Sequence, residues 1–125
     1  MRRSIPAFIF VVGSLFAGVA EAHPELVQTV PAAKAEVASP PKVELKFSER
    51  LVGEFSGAEV YMVDMPGMKM SQPAKESTTA AVGADGTTLT ITPAKPLAAG
   101  TYRVDYHVVS TDTHKIAGTF SFSVK

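Results

Sequence analysis

Three sets of side chains in this 125-residue sequence have types and spacings that could do chemistry. Asp112 and His114 stand two apart in Ser110-Thr111-Asp112-Thr113-His114. In an extended segment that spacing sends both side chains to one side. A carboxylate and an imidazole so placed make half a site for Cu(II), nickel or zinc. The second set is Met62, Met65, Met68 and Met70, in Met-Val-Asp-Met-Pro-Gly-Met-Lys-Met. Thioethers are soft ligands suited to Cu(I) or Ag(I) and poor ones for hard cations. Methionine also fills cores, and Met62 has the strand phase of an inward residue. Pro66-Gly67 argues against a helical methionine stripe and lets the loop methionines converge on one point.

The third set depends on processing. Arg2 and Arg3 precede an apolar run over residues 5–19, and Ala20-Glu21-Ala22 follows. That is the pattern of a secretory signal peptide with a small-residue exit, expected over residues 1–22. Cutting after Ala22 would make His23 the first residue of the mature chain. Its free amine and its Nδ1 could then grip one metal ion as a chelate. The amine titrates near pH 8, so a strong metal can displace its proton. Pro24 has no backbone N–H, so that amide supplies no further ligand. Copper held this way must find its other donors elsewhere in the fold, and Asp112 and His114 are the candidates.

Composition removes other classes. The mature chain, residues 23–125, is expected to form a single domain with one core. It carries ten basic and eleven acidic residues, with no basic stripe. No nucleic acid or anionic membrane is expected as a partner. There is no cysteine, hence no disulfide, no thiolate ligand and no thiol nucleophile. Ser110, Asp112 and His114 are crowded into one loop, which does not suit a nucleophilic triad. Nucleophile elbows, phosphate loops and zinc-protease helices are absent too.

The elements that must position these residues read as strands. Residues 25–30 form a short first strand, and 32–39 an irregular connection. Residues 42–47 alternate, with Val43, Leu45 and Phe47 inward. Residues 51–57 look irregular, anchored by Leu51 and Phe55. Residues 58–63 give a strand with Val60 and Met62 on one face, and 64–77 a loop. A weaker strand over 78–82 leads through Ala84-Asp85-Gly86, a strong hairpin turn, into 87–92. The longest strand covers 101–109, with Tyr102, Val104, Tyr106 and Val108 on one face. Tyr102, Tyr106 and Phe120 read as core or rim, and His107 falls on the opposite face. Residues 116–124 close the chain. The pattern predicts an all-β domain of about seven strands, an antiparallel two-sheet, Ig-like sandwich with Greek-key links and no disulfide.

Taken together these residues resemble a family. His23-Pro24-Glu25-Leu26-Val27, Leu45-Lys46-Phe47-Ser48-Glu49, Phe55-Ser56-Gly57-Ala58 and Met65-Pro66-Gly67-Met68 are similar to segments of the bacterial periplasmic copper-resistance protein C family (CopC/PcoC). So are Ile91-Thr92-Pro93, Leu97-Ala98-Ala99-Gly100-Thr101-Tyr102 and Val109-Ser110-Thr111-Asp112-Thr113-His114. The resemblance implies a seven-stranded Greek-key β-sandwich or barrel, cupredoxin-like in topology, that carries copper in the periplasm. It implies Cu(II) bound by His23, Asp112 and His114, and Cu(I) bound in the methionine loop. Met62, Met65 and Met68 stand at matching places, while Met70 falls where the family has a histidine. Tyr106-His107 replaces a frequent Trp-Arg, so His107 becomes a candidate outer ligand or a group behind the ligands. The implied partners are an inner-membrane copper permease of the copper-resistance-D type and other periplasmic copper proteins.

Two rival functions differ in class. One is a copper oxygenase built on a terminal histidine, which needs an open copper face and redox cycling. Asp112 on the metal would stabilise Cu(II) against reduction, and the chain is short for a broad glycan surface. The other is a structural sandwich with no metal role. A carrier without enzymatic turnover accounts for both donor sets.

Overall fold

The computed structural model describes residues 24–68 and 70–125. The expected leader, His23 and Lys69 lie outside the described residues. Among the described residues nine strands appear, in the order β1 (Leu26–Val30), β2 (Glu36–Val37), β3 (Val43–Phe47), β4 (Gly57–Asp64), β5 (Ala74–Lys75), β6 (Thr78–Val82), β7 (Thr88–Pro93), β8 (Gly100–Val109) and β9 (Lys115–Val124). Seven of them have five residues or more, matching the strands read from sequence. The other two have two residues each and were not expected. β2 lies in the segment read as irregular and pairs parallel with β9. β5 lies in the segment read as loop and pairs with β4.

The strands form two sheets, in the orders β1-β3-β7-β6 and β2-β9-β8-β4-β5. Two sheets of alternating strands can bury their inner faces only against each other. Val43, Leu45, Leu89 and Ile91 from the first sheet are wholly buried, as are Val60, Tyr102 and Val104 from the second. Tyr102 stacks on Phe122 at 5.6 Å and donates its hydroxyl to the Ala98 carbonyl at 2.6 Å. The core therefore accommodates a tyrosine without stranding its polar end. Tyr106 packs edge-on against Phe47 at 5.6 Å. Leu51 is buried as expected, but Phe55, expected to anchor inward, is 62% exposed. It closes a 3-10 turn over Gly53–Phe55, none of whose residues is buried.

Strand direction fixes what sits at each end. β4 pairs antiparallel with β8, Gly57 opposite His107 and Asp64 opposite Thr101. The β8–β9 turn carrying Asp112 and His114 therefore lies at the Gly57 end. The methionine segment leaves β4 at the Asp64 end. About 24 Å of extended strand separates Gly57 from Asp64.

Candidate metal centre

The 110–114 segment is a tight hairpin between β8 and β9. The Thr113 amide donates to the Ser110 carbonyl at 2.9 Å, and the Ser110 amide to the His114 carbonyl at 2.9 Å. Thr113 has φ +74°, the left-handed conformation that closes three-residue hairpin loops. This turn brings Asp112 and His114 together, with Nδ1 of His114 3.1 Å from Oδ2 of Asp112. The sequence expectation that the two share a side holds, but for a different reason: a left-handed residue between them, not an extended run.

Ser110 is the unforeseen member. It is 1% exposed, and its hydroxyl donates a hydrogen bond to Oδ1 of Asp112. That bond is the main reason the Asp112 carboxyl is held below the ordinary carboxylate range, with the His114 ring adding to it against partial desolvation. The order of the three groups is hydroxyl, carboxylate, imidazole. A nucleophilic triad needs the imidazole in the middle, so the arrangement does not activate Ser110.

A second set of bonds ties the start of the described chain to the same end. Pro24 is fully buried. The Glu25 amide donates to the Ser48 hydroxyl at 2.9 Å, and the Ser48 amide to the Glu25 carbonyl at 2.9 Å. Two residues on, the Arg50 carbonyl accepts the Thr111 amide at 2.9 Å, and Leu51 bridges to Ser110. The 48–51 segment thus joins Pro24-Glu25 on one side to the Asp112 turn on the other. Among the described residues no three His, Asp or Glu side chains cluster for a metal. The Asp112–His114 pair brings one carboxylate and one imidazole together.

At the other end, a register shift falls between Met62 and Asp64. An extra residue in a strand reverses the inside-outside alternation beyond it. Met65 therefore returns to the core side, three residues after Met62, while Asp64 is exposed. Met62 is 5% exposed and belongs to the core; Met65 and Met70 pack against that core. Pro66-Gly67 makes a turn with φ +74° at Gly67, as a type II turn requires. Met65 and Met68 pair across it, and Met68 is 61% exposed. Directly opposed residues share a face with Cβ atoms about 5 Å apart.

His107 is exposed on the outer face of the five-stranded sheet. Its ring covers Gly57, where an added Cβ would meet Cε1 and Nε2 at 3.1 Å. It lines a groove of about 870 Å³ together with Ser110 and Thr113. The groove lies beside the Asp112 turn.

The CopC domain profile matches residues 26–125. The chain belongs to the CopC family. This CopC-family chain is 50% identical over 125 residues to copper resistance protein C of Pseudomonas syringae pv. tomato, covering 100% of this chain and 98% of that one. It is 48% identical to selenomethionine PcoC, a copper resistance protein from Escherichia coli, with a TM-score of 0.78 over 82% of this chain and 100% of that one. CopC from Methylosinus trichosporium OB3b is 30% identical, with a TM-score of 0.70 over 82% of this chain and 94% of that chain. The all-β two-sheet fold expected from sequence is thus that of the CopC family.

Proposed function

We propose that this protein is a periplasmic copper carrier serving copper resistance and homeostasis, exported by a leader over residues 1–22 that is then removed. The mature domain, residues 23–125, holds Cu(II) through the terminal amine and Nδ1 of His23 together with Asp112 and His114. It holds Cu(I) through Met62, Met65, Met68 and Met70. Cu(II) favours nitrogen and oxygen donors and Cu(I) favours sulfur, so the two ends serve the two oxidation states. The carrier passes copper by ligand exchange and turns over no substrate. Its partners are an inner-membrane copper permease of the copper-resistance-D type and other periplasmic copper proteins. The carboxylate among the Cu(II) donors favours holding the oxidised ion over cycling it.

One observation carries this reading: the hydrogen-bonded route from Glu25 through Ser48 and Arg50 to Thr111. Pro24, which follows His23 directly in the sequence, is fully buried beside this route. Chain connectivity therefore favours delivery of an amine and an imidazole at the end that carries Asp112 and His114. The copper-resistance names of the relatives agree with that metal.

The test adds one residue ahead of His23 in the processed protein. The amine chelate is then lost while the domain is untouched. Cu(II) affinity, measured by chelator competition, should fall about 100-fold or more, equivalent to about 2.7 kcal/mol. Equal affinity in the extended protein overturns the chelate. Mass spectrometry of protein recovered from the periplasm should find His23 first.

A further inference from the structure

Serine is usually found at protein surfaces, yet Ser110 is 1% exposed. Every polar group it has is directed at the turn holding the candidate ligands. Its amide donates to the His114 carbonyl at 2.9 Å, and its carbonyl accepts the Thr113 amide at 2.9 Å. Its hydroxyl donates to Oδ1 of Asp112 and lies 3.4 Å from the His114 carbonyl oxygen. The other Asp112 oxygen faces Nδ1 of His114 at 3.1 Å. Each carboxylate oxygen thus has a partner, one of them buried and shielded from water.

Both side chains are partly open to solvent, Asp112 at 39% and His114 at 44% exposure. An exposed carboxylate must lose its rotamer freedom when a metal binds, and that loss weakens binding. A buried hydroxyl that fixes the carboxylate beforehand removes much of the cost. Hydrogen bonds to a charged acceptor are also stronger than neutral ones.

We propose that Ser110 is a positioning residue for Cu(II) capture, holding the Asp112 carboxylate, and with it His114, in place before the metal arrives. The proposal rests on the Cu(II) reading given above. Ser110 itself touches no metal. Its effect passes through Asp112, which makes the two residues energetically coupled.

A double-mutant cycle tests this in processed protein that begins at His23. Cu(II) affinity and the Cu(II) electron paramagnetic resonance spectrum are measured for the parent, Ser110→Ala, Asp112→Ala, His114→Ala and the Ser110→Ala/Asp112→Ala pair. Metal-free melting checks the fold of each. Ser110→Ala should weaken Cu(II) roughly tenfold and shift the copper hyperfine splitting. In the Asp112→Ala background it should change neither, because no carboxylate remains to be held. Ser110→Thr and Ser110→Val form a second pair, matched in size and differing in the hydroxyl. Thr should stay nearer the parent and Val should follow Ala, which keeps the test alive should Ala not fold. An equal loss in both backgrounds, or none in the parent, overturns the positioning role. Parent-like affinity in both Asp112→Ala and His114→Ala would instead overturn the Cu(II) site itself.

Discussion

Met65 and Met68 are cross-turn partners, the Met68 amide donating to the Met65 carbonyl at 3.0 Å. Pro66 and Gly67 supply the two angles that a type II turn needs, so backbone chemistry sets the pairing. The two thioethers leave the same side, one partly buried and the other open to solvent. Replacing both with leucine removes the sulfurs with nearly unchanged volume. Ag(I) and Cu(I) affinity should fall at least tenfold, about 1.4 kcal/mol, with Cu(II) affinity at the opposite end unchanged. Anaerobic competition titration reads the first, and aerobic titration the second. Retained Ag(I) affinity would reject the loop as a soft-metal site.

The strands were legible because their inner faces are pure. Val43-Leu45-Phe47 and Tyr102-Val104-Tyr106-Val108 announce a period of two, and burial follows it. β2 and β5 were not legible: a two-residue strand is too short to show a period and borrows its pairing from a longer neighbour. Phe55 reads as an anchor from its residue type alone, yet it ends a 3-10 turn and is exposed. At the site, the residue types and spacing of Asp112 and His114 identified a candidate metal pair. The role of Ser110 was not readable, because a serine beside an aspartate in a loop is ordinary; only its burial distinguishes it. The Glu25–Ser48 clamp joins residues 23 positions apart, and nothing local signals it. The bulge beyond Met62 was equally silent, so strand phase alone could not tell that Met65 returns to the core side.

Thr113 sits at φ +74°, a conformation that costs a β-branched residue about 1–2 kcal/mol. Glycine adopts it freely but loses more entropy on folding, by about 0.4–1 kcal/mol. Thr113→Gly should therefore stabilise the domain slightly, by about 0.5–1 kcal/mol. In a domain of this size that raises Tm by a few degrees. Thr113 also donates its hydroxyl to the Asp112 carbonyl at 2.5 Å, a local bond that the exposed turn can replace with water. Thr113→Val keeps the branch and loses the hydroxyl, so it should be no more stable than the parent. Thermal melts of the three proteins check both directions. A lower Tm for the glycine variant would show that the turn is not strained.

Asp85 organises the β6–β7 hairpin. Its Oδ1 accepts the Thr87 and Thr88 amides at 3.0 and 2.9 Å, and its Oδ2 accepts the Thr88 hydroxyl at 2.6 Å. Gly86, at φ +75°, completes the turn. The Thr88 hydroxyl first, and then the two amides, pull the Asp85 carboxyl from an ordinary 3.8 down to about 2. A folded value below the unfolded one means that the unfolded chain takes up the proton first. The stability linked to Asp85 is then fully present above pH ~4 and is lost as pH falls toward about 2. Asp85→Asn retains the amide-accepting oxygen but cannot ionise. Its stability should fall below the parent's at pH 7, and the two curves should converge between pH 4 and pH 2. Because this hairpin belongs to the sheet that carries β1, loss of its order on acidification should also loosen the pairing that supports the Glu25–Ser48 clamp. Urea midpoints across that pH range read the first effect; amide exchange at Ser48 reads the second. Parallel curves for Asp85→Asn and the parent would show that the carboxylate is not what secures the turn.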